Sequence, residues 1–261
     1  MSPARRLGDA TSPEVAGARS VLLVPLGSTE QHGPHLPLDT DTRIAAAIGD
    51  AAAVELSGQG IDVLVAPALP YGASGEHQGF AGTVSIGRAA LQLVVVELVR
   101  SVGDDFSLVV LVNGHGGNAE TLAAAVTLLR AESRSVMVWS PRLVDADSHA
   151  GRTETSLMLA LDSDVVRLDQ AEPGVTTPLA ELIDELRRGG LVAVTPNGVL
   201  GDPTGASADE GRRVLVQLAG DLVAAVVGAV DRGGEPAWDG GGSPARARPS
   251  EIDEDQSVRT T

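Results

Sequence analysis

Short apolar runs without polar alternation constrain the fold of this chain more than any other feature of its sequence. Residues 21–26 and 108–112 form two such runs, and residues 63–66 and 136–139 have the same character. Strands that are buried on both faces of a parallel sheet show this pattern, because neither face meets water. The runs therefore predict a central sheet of mostly parallel strands.

Helical patterns separate these runs. They cover residues 42–56, 88–102, 118–132 and 209–232. Strands that alternate with helices of this length form right-handed βαβ units, in which helices cover the faces of the sheet. We expect an α/β protein with three layers, α/β/α, around a mostly parallel central sheet. Ser207 lies just before the last helix and Glu210 lies in its first turn. Together they predict a capping box, in which both side chains bind backbone amides at the helix start.

Length and composition indicate one large domain. Of the 261 residues, 43% are hydrophobic, but only two Phe, two Trp and one Tyr occur, so aliphatic side chains must build the core. Residues 233–261 have almost nothing apolar to bury, which predicts a disordered tail. We expect a flexible segment over residues 1–18, one domain over residues 19–232, and this tail.

The charge and the missing residue types exclude several classes of function. The formal net charge is −16, and all 19 basic residues are arginine. Such a surface repels nucleic acid, and no lysine is available as a nucleophile. The absence of cysteine excludes disulfides and thiolate metal sites. No apolar run reaches the roughly 18 residues of a membrane span, so we expect a cytoplasmic protein without a membrane or nucleic-acid partner.

All five histidines lie in four short polar motifs. The motifs are Glu30-Gln31-His32-Gly33-Pro34-His35, Gly75-Glu76-His77, Asn113-Gly114-His115-Gly116-Gly117-Asn118 and His149-Ala150-Gly151-Arg152-Thr153-Glu154. Imidazole and carboxylate groups without thiolate are ligands that bind zinc, iron or manganese in hydrolytic sites. The sequence therefore predicts a metal-dependent hydrolase.

Two motifs directly follow predicted strands, so the carboxyl edge of the sheet should bring Glu30, His32 and His115 together. Glu30 and His32 are two residues apart, and on an extended chain their side chains point the same way. Asp41 lies at the start of a predicted helix, where its carboxylate could bridge two cations. Asp39 is an alternative that spacing does not exclude.

Other interpretations of these motifs stay open at this point. The glycines around His115 could serve only a tight turn, with Asn118 as the N-cap of the next helix. The same stretch fits a dinucleotide fingerprint, with Glu132 downstream, which is typical of a Rossmann-type oxidoreductase. A closed metal site in a non-enzymatic protein is a further alternative. His149 and Glu154 are five apart, so one of them must precede its helix.

These motifs, in this order, resemble the creatininase (creatinine amidohydrolase) family. The resemblance runs from about residue 21 to residue 232 and includes Pro25-Leu26-Gly27-Ser28-Thr29-Glu30-Gln31-His32-Gly33-Pro34-His35-Leu36-Pro37-Leu38-Asp39-Thr40-Asp41. It implies a creatininase-like hydrolase of C–N amide bonds with two divalent metal ions, zinc or iron, with manganese as an option. It also implies a homo-oligomer, a hexamer or larger.

The resemblance assigns roles to individual residues. Metal ligands are Glu30, His32, Asp41 and His115, with Asp41 as the bridge. Creatininase itself has a glutamate where this chain has Gly117, and Glu154 is expected to supply the missing carboxylate. His149 resembles the catalytic histidine, which is suited to protonating the leaving nitrogen. Pocket residues that bind substrate are expected to be Ser74, Glu76 and His77.

The loops point to one branch of the family. Residues 71–83 and 198–207 look most like the branch of the mycofactocin system, whose members are peptidases. This resemblance implies cleavage of a modified precursor peptide, with a metal-bridging water, to release its C-terminal Val-Tyr-derived unit. A small-molecule amidohydrolase that acts on creatinine or a formamide is the alternative.

Overall fold

A computed structural model of the protein describes residues 3–144 and 146–233. Within these residues, four parallel strands form the central sheet in the order β2-β1-β3-β4. The strands are β1 (Ser20–Leu26), β2 (Val63–Val65), β3 (Phe106–Asn113) and β4 (Val136–Trp139). The predicted α/β class and the parallel sheet are confirmed.

The described residues also form eight α-helices. They are α1 (Ser12–Val15), α2 (Thr40–Gly58), α3 (Gly87–Ser101), α4 (Ala119–Ala131), α5 (Arg152–Leu161), α6 (Leu179–Gly189), α7 (Leu191–Val194) and α8 (Ala208–Asp231). Short 3-10 turns lie at Leu7–Asp9, Gly75–His77, Gly103–Asp105, Gly116–Asn118, Ser163–Val165 and Leu168–Gln170. The four predicted helices are α2, α3, α4 and α8, whereas α6 and α7 were not predicted.

Helices cover both faces of the sheet, which confirms the three layers. Ile48 of α2 and Leu222 of α8 belong to one buried cluster, together with Leu23 of β1. Leu22, the neighbour of Leu23, belongs to a second cluster on the opposite face, where it packs with Leu91 of α3. Successive residues of β1 are therefore buried on opposite faces, which explains the missing polar alternation. Each fully buried leucine contributes about 1.5–3 kcal/mol.

The start of α8 confirms half of the predicted capping box. The Ser207 hydroxyl accepts a hydrogen bond from the Glu210 amide (3.3 Å), as expected. The Glu210 carboxylate does not return to Ser207, because it binds Nε of Arg152 at 2.8 and 3.0 Å. The Ser207 amide donates to the Ser156 hydroxyl instead (3.0 Å). The glutamate half of the prediction is wrong because a charge-assisted bond to a guanidinium is the stronger interaction.

Helix α8 is also long and apolar enough, by length and composition, to cross a membrane, and no other helix of the described residues is. The expectation concerned uninterrupted apolar runs, and in α8 Gln217 and Asp221 interrupt the run. The helix packs against α2 and α5 and buries Leu218, Leu222 and Val226. It forms part of the domain core in this structure.

The expected terminal segments, residues 1–18 and 233–261, have different outcomes. Part of residues 1–18, expected to be flexible, makes defined contacts: Arg5 pairs with Asp62, and Arg6 bridges to Val65 of β2. A domain boundary at residue 19 stays a prediction. Of the expected tail, residues 234–261 lie outside the described residues.

Candidate metal centre

The loops after β1 and β3 meet at the carboxyl edge of the sheet, as the sequence predicts. The Gly114 amide donates to the Leu26 carbonyl (2.8 Å). The side chain of Asn118 donates to the Gly27 carbonyl (3.1 Å) and accepts from the Ala73 amide (2.8 Å). Asn118 therefore ties three loops together. It occupies the predicted N-cap position of α4, but its side chain forms no capping hydrogen bond there.

Glu30, Asp41 and His115 converge at this edge. Nδ1 of His115 lies 3.2 Å from Oε1 of Glu30 and 3.3 Å from Oδ2 of Asp41. All three residues are buried, and one ligand atom from each lies within 4.8 Å of the others. Two carboxylates and an imidazole at this separation form a group that could hold a divalent cation.

A second group shares Asp41. Nε2 of His32 lies 3.0 Å from Oδ1 of Asp41 and 3.9 Å from Oε2 of Glu154. Nδ1 of His32 lies 3.2 Å from the Glu30 carbonyl, an acceptor that fixes this nitrogen as the donor and directs Nε2 toward Asp41. Because the two Asp41 oxygens face different groups, the carboxylate has the geometry of a bridge.

The position of each acidic residue relative to the start of its helix explains whether it reaches the site. Asp41 lies in the first turn of α2 and is buried, whereas Asp39 precedes the helix and pairs with Arg43 (2.8 Å). Of the two alternatives, only Asp41 faces the histidines. Glu154 lies in the first turn of α5 and accepts from the Ala150 amide (2.6 Å). His149 precedes α5, as the five-residue spacing required.

Unpartnered atoms at this place fit a bound cation. Oε1 of Glu30, Oδ2 of Asp41 and Nε2 of His115 are buried and have no hydrogen-bond partner. Each such buried group costs about 1–3 kcal/mol, and more when it is charged. The donor set of oxygen and nitrogen atoms, with two carboxylates that need positive charge nearby, therefore fits divalent ions.

The pKa values show how strongly the carboxylates attract positive charge. Burial and Asp41 both raise the pKa of Glu30, but His115 outweighs them and lowers it to about 2. Burial lowers the pKa of His32, but Asp41 outweighs this effect and raises it to about 10. The same balance holds for His115, whose pKa lies well above its usual value. Without a cation, protons on these two histidines supply the positive charge.

His149 differs from the other histidines of the centre. Burial and the positive charges of His32 and His77 hold its pKa well below the usual value, so the ring is neutral at pH 7. Its Nε2 lies 3.0 Å from the Gln31 carbonyl, an acceptor, and 3.1 Å from the Gln31 side-chain nitrogen, a donor, so Nε2 can donate to the one or accept from the other. Its Nδ1 faces the centre, 4.0 Å from Oε1 of Glu30.

Gln31 has a role in the centre that was not predicted from the sequence. Its carbonyl holds the ring of His149, and its side-chain amide donates to the Gly198 carbonyl (3.0 Å) and lies 3.1 Å from Nδ1 of His77. Gln31 is buried between Glu30 and His32 in the first motif. Its position in that motif was the signal that could have identified it.

The three expected pocket residues have different positions. Ser74 is fully buried, does not line the cleft, and forms a close hydrogen bond with Ser28. Ser28 in turn donates to Oε2 of Glu30 (2.7 Å), so Ser74 lies behind this carboxylate, and its placement in the pocket is corrected. Nε2 of His77 lies 3.2 Å from Oε1 of Glu30, and Oε1 of Glu76 lies 3.4 Å from Nε2 of His115. Both residues line the cleft, and substrate contact by them stays a prediction.

A cleft of about 1000 Å³ opens onto the centre. Polar side chains of the centre form its floor, and apolar side chains of α6 form part of its wall. Its lining includes Glu76, His77, His115, His149, Leu179, Ile183, Leu186 and Leu200. The volume lies at the upper end of the range for ligand pockets, about 300–1000 Å³.

Comparison with known proteins decides the family. The family model described as creatininase, creatinine amidohydrolase, matches residues 8–226. The chain belongs to the creatininase family. A relative named mycofactocin precursor peptide peptidase, from Mycolicibacterium smegmatis, is 54% identical over 214 residues, which cover 81% of this chain and 86% of the relative.

Solved structures of creatininases have the same fold. A creatininase variant described as the Zn–Zn type has a TM-score of 0.71 at 26% identity and covers 86% of this chain and 98% of its own. A structure described as creatininase Mn has a TM-score of 0.69 at 27% identity and covers 85% of this chain and 97% of its own. The resemblance of the four motifs to this family is confirmed.

Membership in the creatininase family removes the basis of the dinucleotide interpretation. The glycine-rich turn after β3 places His115 against Glu30 and Asp41, in the centre of the candidate site. Glu132, the acidic residue downstream of the fingerprint, pairs with Arg100 at the surface (3.0 Å). The alternative of a Rossmann-type oxidoreductase is therefore not supported.

Proposed function

We propose that this creatininase-family protein is a metal-dependent peptidase that cleaves the modified mycofactocin precursor peptide and releases its C-terminal Val-Tyr-derived unit. The identity of 54% to a relative named for this activity supports the substrate. The observation that carries the reaction class is the convergence of the unpartnered Glu30 and Asp41 oxygens with Nδ1 of His115 on one buried point.

Two groups of side chains would hold two divalent ions, zinc or iron, with manganese as an alternative. Glu30, Asp41 and His115 would hold one ion, and His32, Asp41 and Glu154 the other. Bound there, the ions would polarise the scissile carbonyl and lower the pKa of water toward neutrality. The donor set contains no thiolate, which agrees with the ions that the structural relatives are described with.

His149 handles the proton in this proposal. Its neutral ring presents Nδ1 to the centre, where it can take a proton from the attacking water and pass it to the leaving nitrogen. Donation from Nε2 to the Gln31 carbonyl would leave Nδ1 free for this transfer. Burial of the ring keeps bulk water from competing for the proton.

The cleft favours a peptide over a small cyclic amide. A cavity of about 1000 Å³ with an apolar wall offers far more contact surface than creatinine or a formamide can use. Hydrolysis of such a small amide is the alternative function, because the fold and the centre match creatininases. We further propose a cytoplasmic homo-oligomer, a hexamer or larger, without a nucleic-acid or membrane partner.

Incubation of metal-loaded enzyme with the modified precursor peptide tests the proposal, with creatinine and a ring-opened formamidopyrimidine in parallel reactions. Mass spectrometry of the products should show the C-terminal unit released from the peptide. The metal-stripped enzyme should release nothing until zinc, iron or manganese is added. Turnover of one of the small amides with an intact peptide would remove the peptidase assignment.

A further inference from the structure

Helix α6 has an apolar stripe that the rest of the domain covers only in part. Leu179, Leu182, Ile183 and Leu186 follow the i, i+3, i+4, i+7 spacing of a helix that packs on a core. Yet none of the described residues 179–189 is buried, and none belongs to either core cluster. Leu179, for example, leaves 40% of its surface exposed. A stripe with this spacing that the domain leaves partly exposed indicates a ligand surface or an interface.

The position of α6 decides between these uses. Leu179, Ile183 and Leu186, here called the α6 stripe, line the same cleft as His115 and His149. Leu182 does not line it. A ligand that covers the α6 stripe therefore lies over the metal centre, which a substrate must do and which a second copy of the chain could do only by blocking the site.

The turn after α6 holds the helix close to the centre. Gly190 has φ +69°, and a Cβ there would lie 3.0 Å from the carbonyl oxygen of Glu76. The backbone at Gly190 thus approaches the loop that carries Glu76 and His77 more closely than most side chains allow. The α6 stripe is fixed at one end against residues of the cleft floor.

We infer that the α6 stripe binds a bulky apolar side chain of the peptide on the C-terminal side of the scissile amide. The inference rests on the proposed function, because it assumes that the ligand is a peptide. Polar groups of the cleft position the amide, and three aliphatic side chains that line the same cleft exclude water from its apolar neighbour. A substrate with a polar residue at that position would lose this contact, so the α6 stripe selects for apolar peptides.

Replacement of part of the α6 stripe tests the inference. In the metal-loaded full chain, the double variant I183S/L186S should raise KM for the modified precursor peptide by about tenfold or more while kcat changes by less than about threefold. L182S, on the same helix but outside the cleft, is the matched control and should leave both unchanged. The apolar variant I183L/L186M should restore most of the KM.

A binding measurement separates this inference from the proposed function. In the H149A background, fluorescence anisotropy compares a labelled precursor peptide that ends in Val-Tyr with one that ends in Ser-Ser. The Val-Tyr peptide should bind more tightly, and I183S/L186S should remove the difference. Preferential binding without cleavage by the parent enzyme would overturn the proposed function but not this inference.

Other outcomes overturn the inference alone. Cleavage with a KM that does not respond to I183S/L186S would show that the α6 stripe does not touch substrate. Equal binding of both peptides by the parent protein would show the same. If sedimentation of I183S/L186S changed its assembly state while peptide binding stayed constant, the α6 stripe would be a contact between subunits.

Discussion

The carboxylate of Glu76 occupies the space that a side chain at Gly117 would need. A Cβ built on Gly117 would collide with Oε1 of Glu76 and with Nε2 of His115, and would lie 2.7 Å from the carbonyl oxygen of Ala73. Oε1 of Glu76 is 3.4 Å from the same His115 nitrogen. Glycine at 117 is therefore required by the loop that brings Glu76 to His115.

Substitution of Gly117 should disturb the centre through His115. G117A is expected to destabilise the protein by about 1–3 kcal/mol, because the backbone of Ala73 cannot move aside as a side chain can. It should also weaken metal binding, since His115 must shift. Thermal denaturation and metal analysis of the dialysed protein measure both effects.

G116A provides the control for this substitution. A Cβ on Gly116 would meet nothing within 4 Å, so G116A should keep the melting temperature and the metal content of the parent. Equal behaviour of G116A and G117A would show that the crowding at position 117 has no energetic consequence.

The number of bound ions should depend on which carboxylate is removed. D41A is expected to lose both ions, because Asp41 faces His32 through one oxygen and His115 through the other. E154A should keep one ion, because Glu154 approaches only the His32 group. Elemental analysis after dialysis gives the stoichiometry per chain.

D39A serves as the comparison for D41A. Asp39 belongs to the same motif, but its carboxylate pairs with Arg43 and does not face the histidines. D39A should therefore retain both ions. Equal metal content in E154A and the parent protein would show that Glu154 is not a ligand.

The sequence predicted the fold and the members of the centre well, for physical reasons. Strands buried on both faces leave a direct signal in unbroken apolar runs, as in residues 21–26. Parallel strands place their following loops at one edge, so His32 and His115 could be paired across about 80 residues of sequence without coordinates. Ligand types also restrict the chemistry, because imidazole and carboxylate groups without thiolate suit only a few divalent metals.

Contacts between distant loops could not be predicted in the same way. Gln31 lies in the first motif, but its contacts with His149 and the Gly198 carbonyl depend on how distant loops pack, and Ser74 reaches Glu30 only through Ser28. The choice between Asp39 and Asp41 needed the register of α2, which spacing does not give. Helix α6 has the periodicity of a core helix, so its exposed apolar side chains become evident only when the cleft is seen.

Removal of His149 should separate catalysis from metal binding. H149A is expected to keep the metal content of the parent, because the two ligand groups that share Asp41 do not need this ring. Its kcat should fall by about 10²- to 10⁴-fold, since the variant lacks the ring whose Nδ1 carries the proton in the proposed mechanism. Steady-state kinetics on the precursor peptide, with metal analysis of the same sample, measures both quantities.

The alternative for His149 is also testable with this variant. Its Nδ1 forms a possible ligand group with Glu30 and His32. Loss of an ion from H149A would therefore assign the ring to the metal and contradict its role as proton carrier. H35A is a suitable comparison, because His35 bonds to Thr155 (2.9 Å) outside both ligand groups and should leave metal and kcat largely intact.

Metal affinity should rise with pH, because the metal-free centre holds protons that the ions must displace. The pKa of His32 is raised to about 10 by Asp41, and burial raises the pKa of Glu154 to about 7. Below pH 7 both groups release a proton on binding, so the affinity of the site that they share should rise by up to about a hundredfold per pH unit. Between pH 7 and 10 only His32 still releases a proton on metal binding. The affinity should then rise by only about tenfold per pH unit.

Calorimetry of metal binding in buffers of different ionisation enthalpy counts these protons directly. At pH 8 the parent protein should release one proton from His32, and the raised pKa of His115 should add to the count. H32Q should release one proton fewer than the parent at the same pH. Removal of the negative charge of Asp41 would lower the pKa of His32. The residual metal affinity of D41N should therefore depend less on pH than the affinity of the parent. A proton count of zero for the parent at pH 8 would contradict the protonated histidines on which this account of the metal-free centre depends.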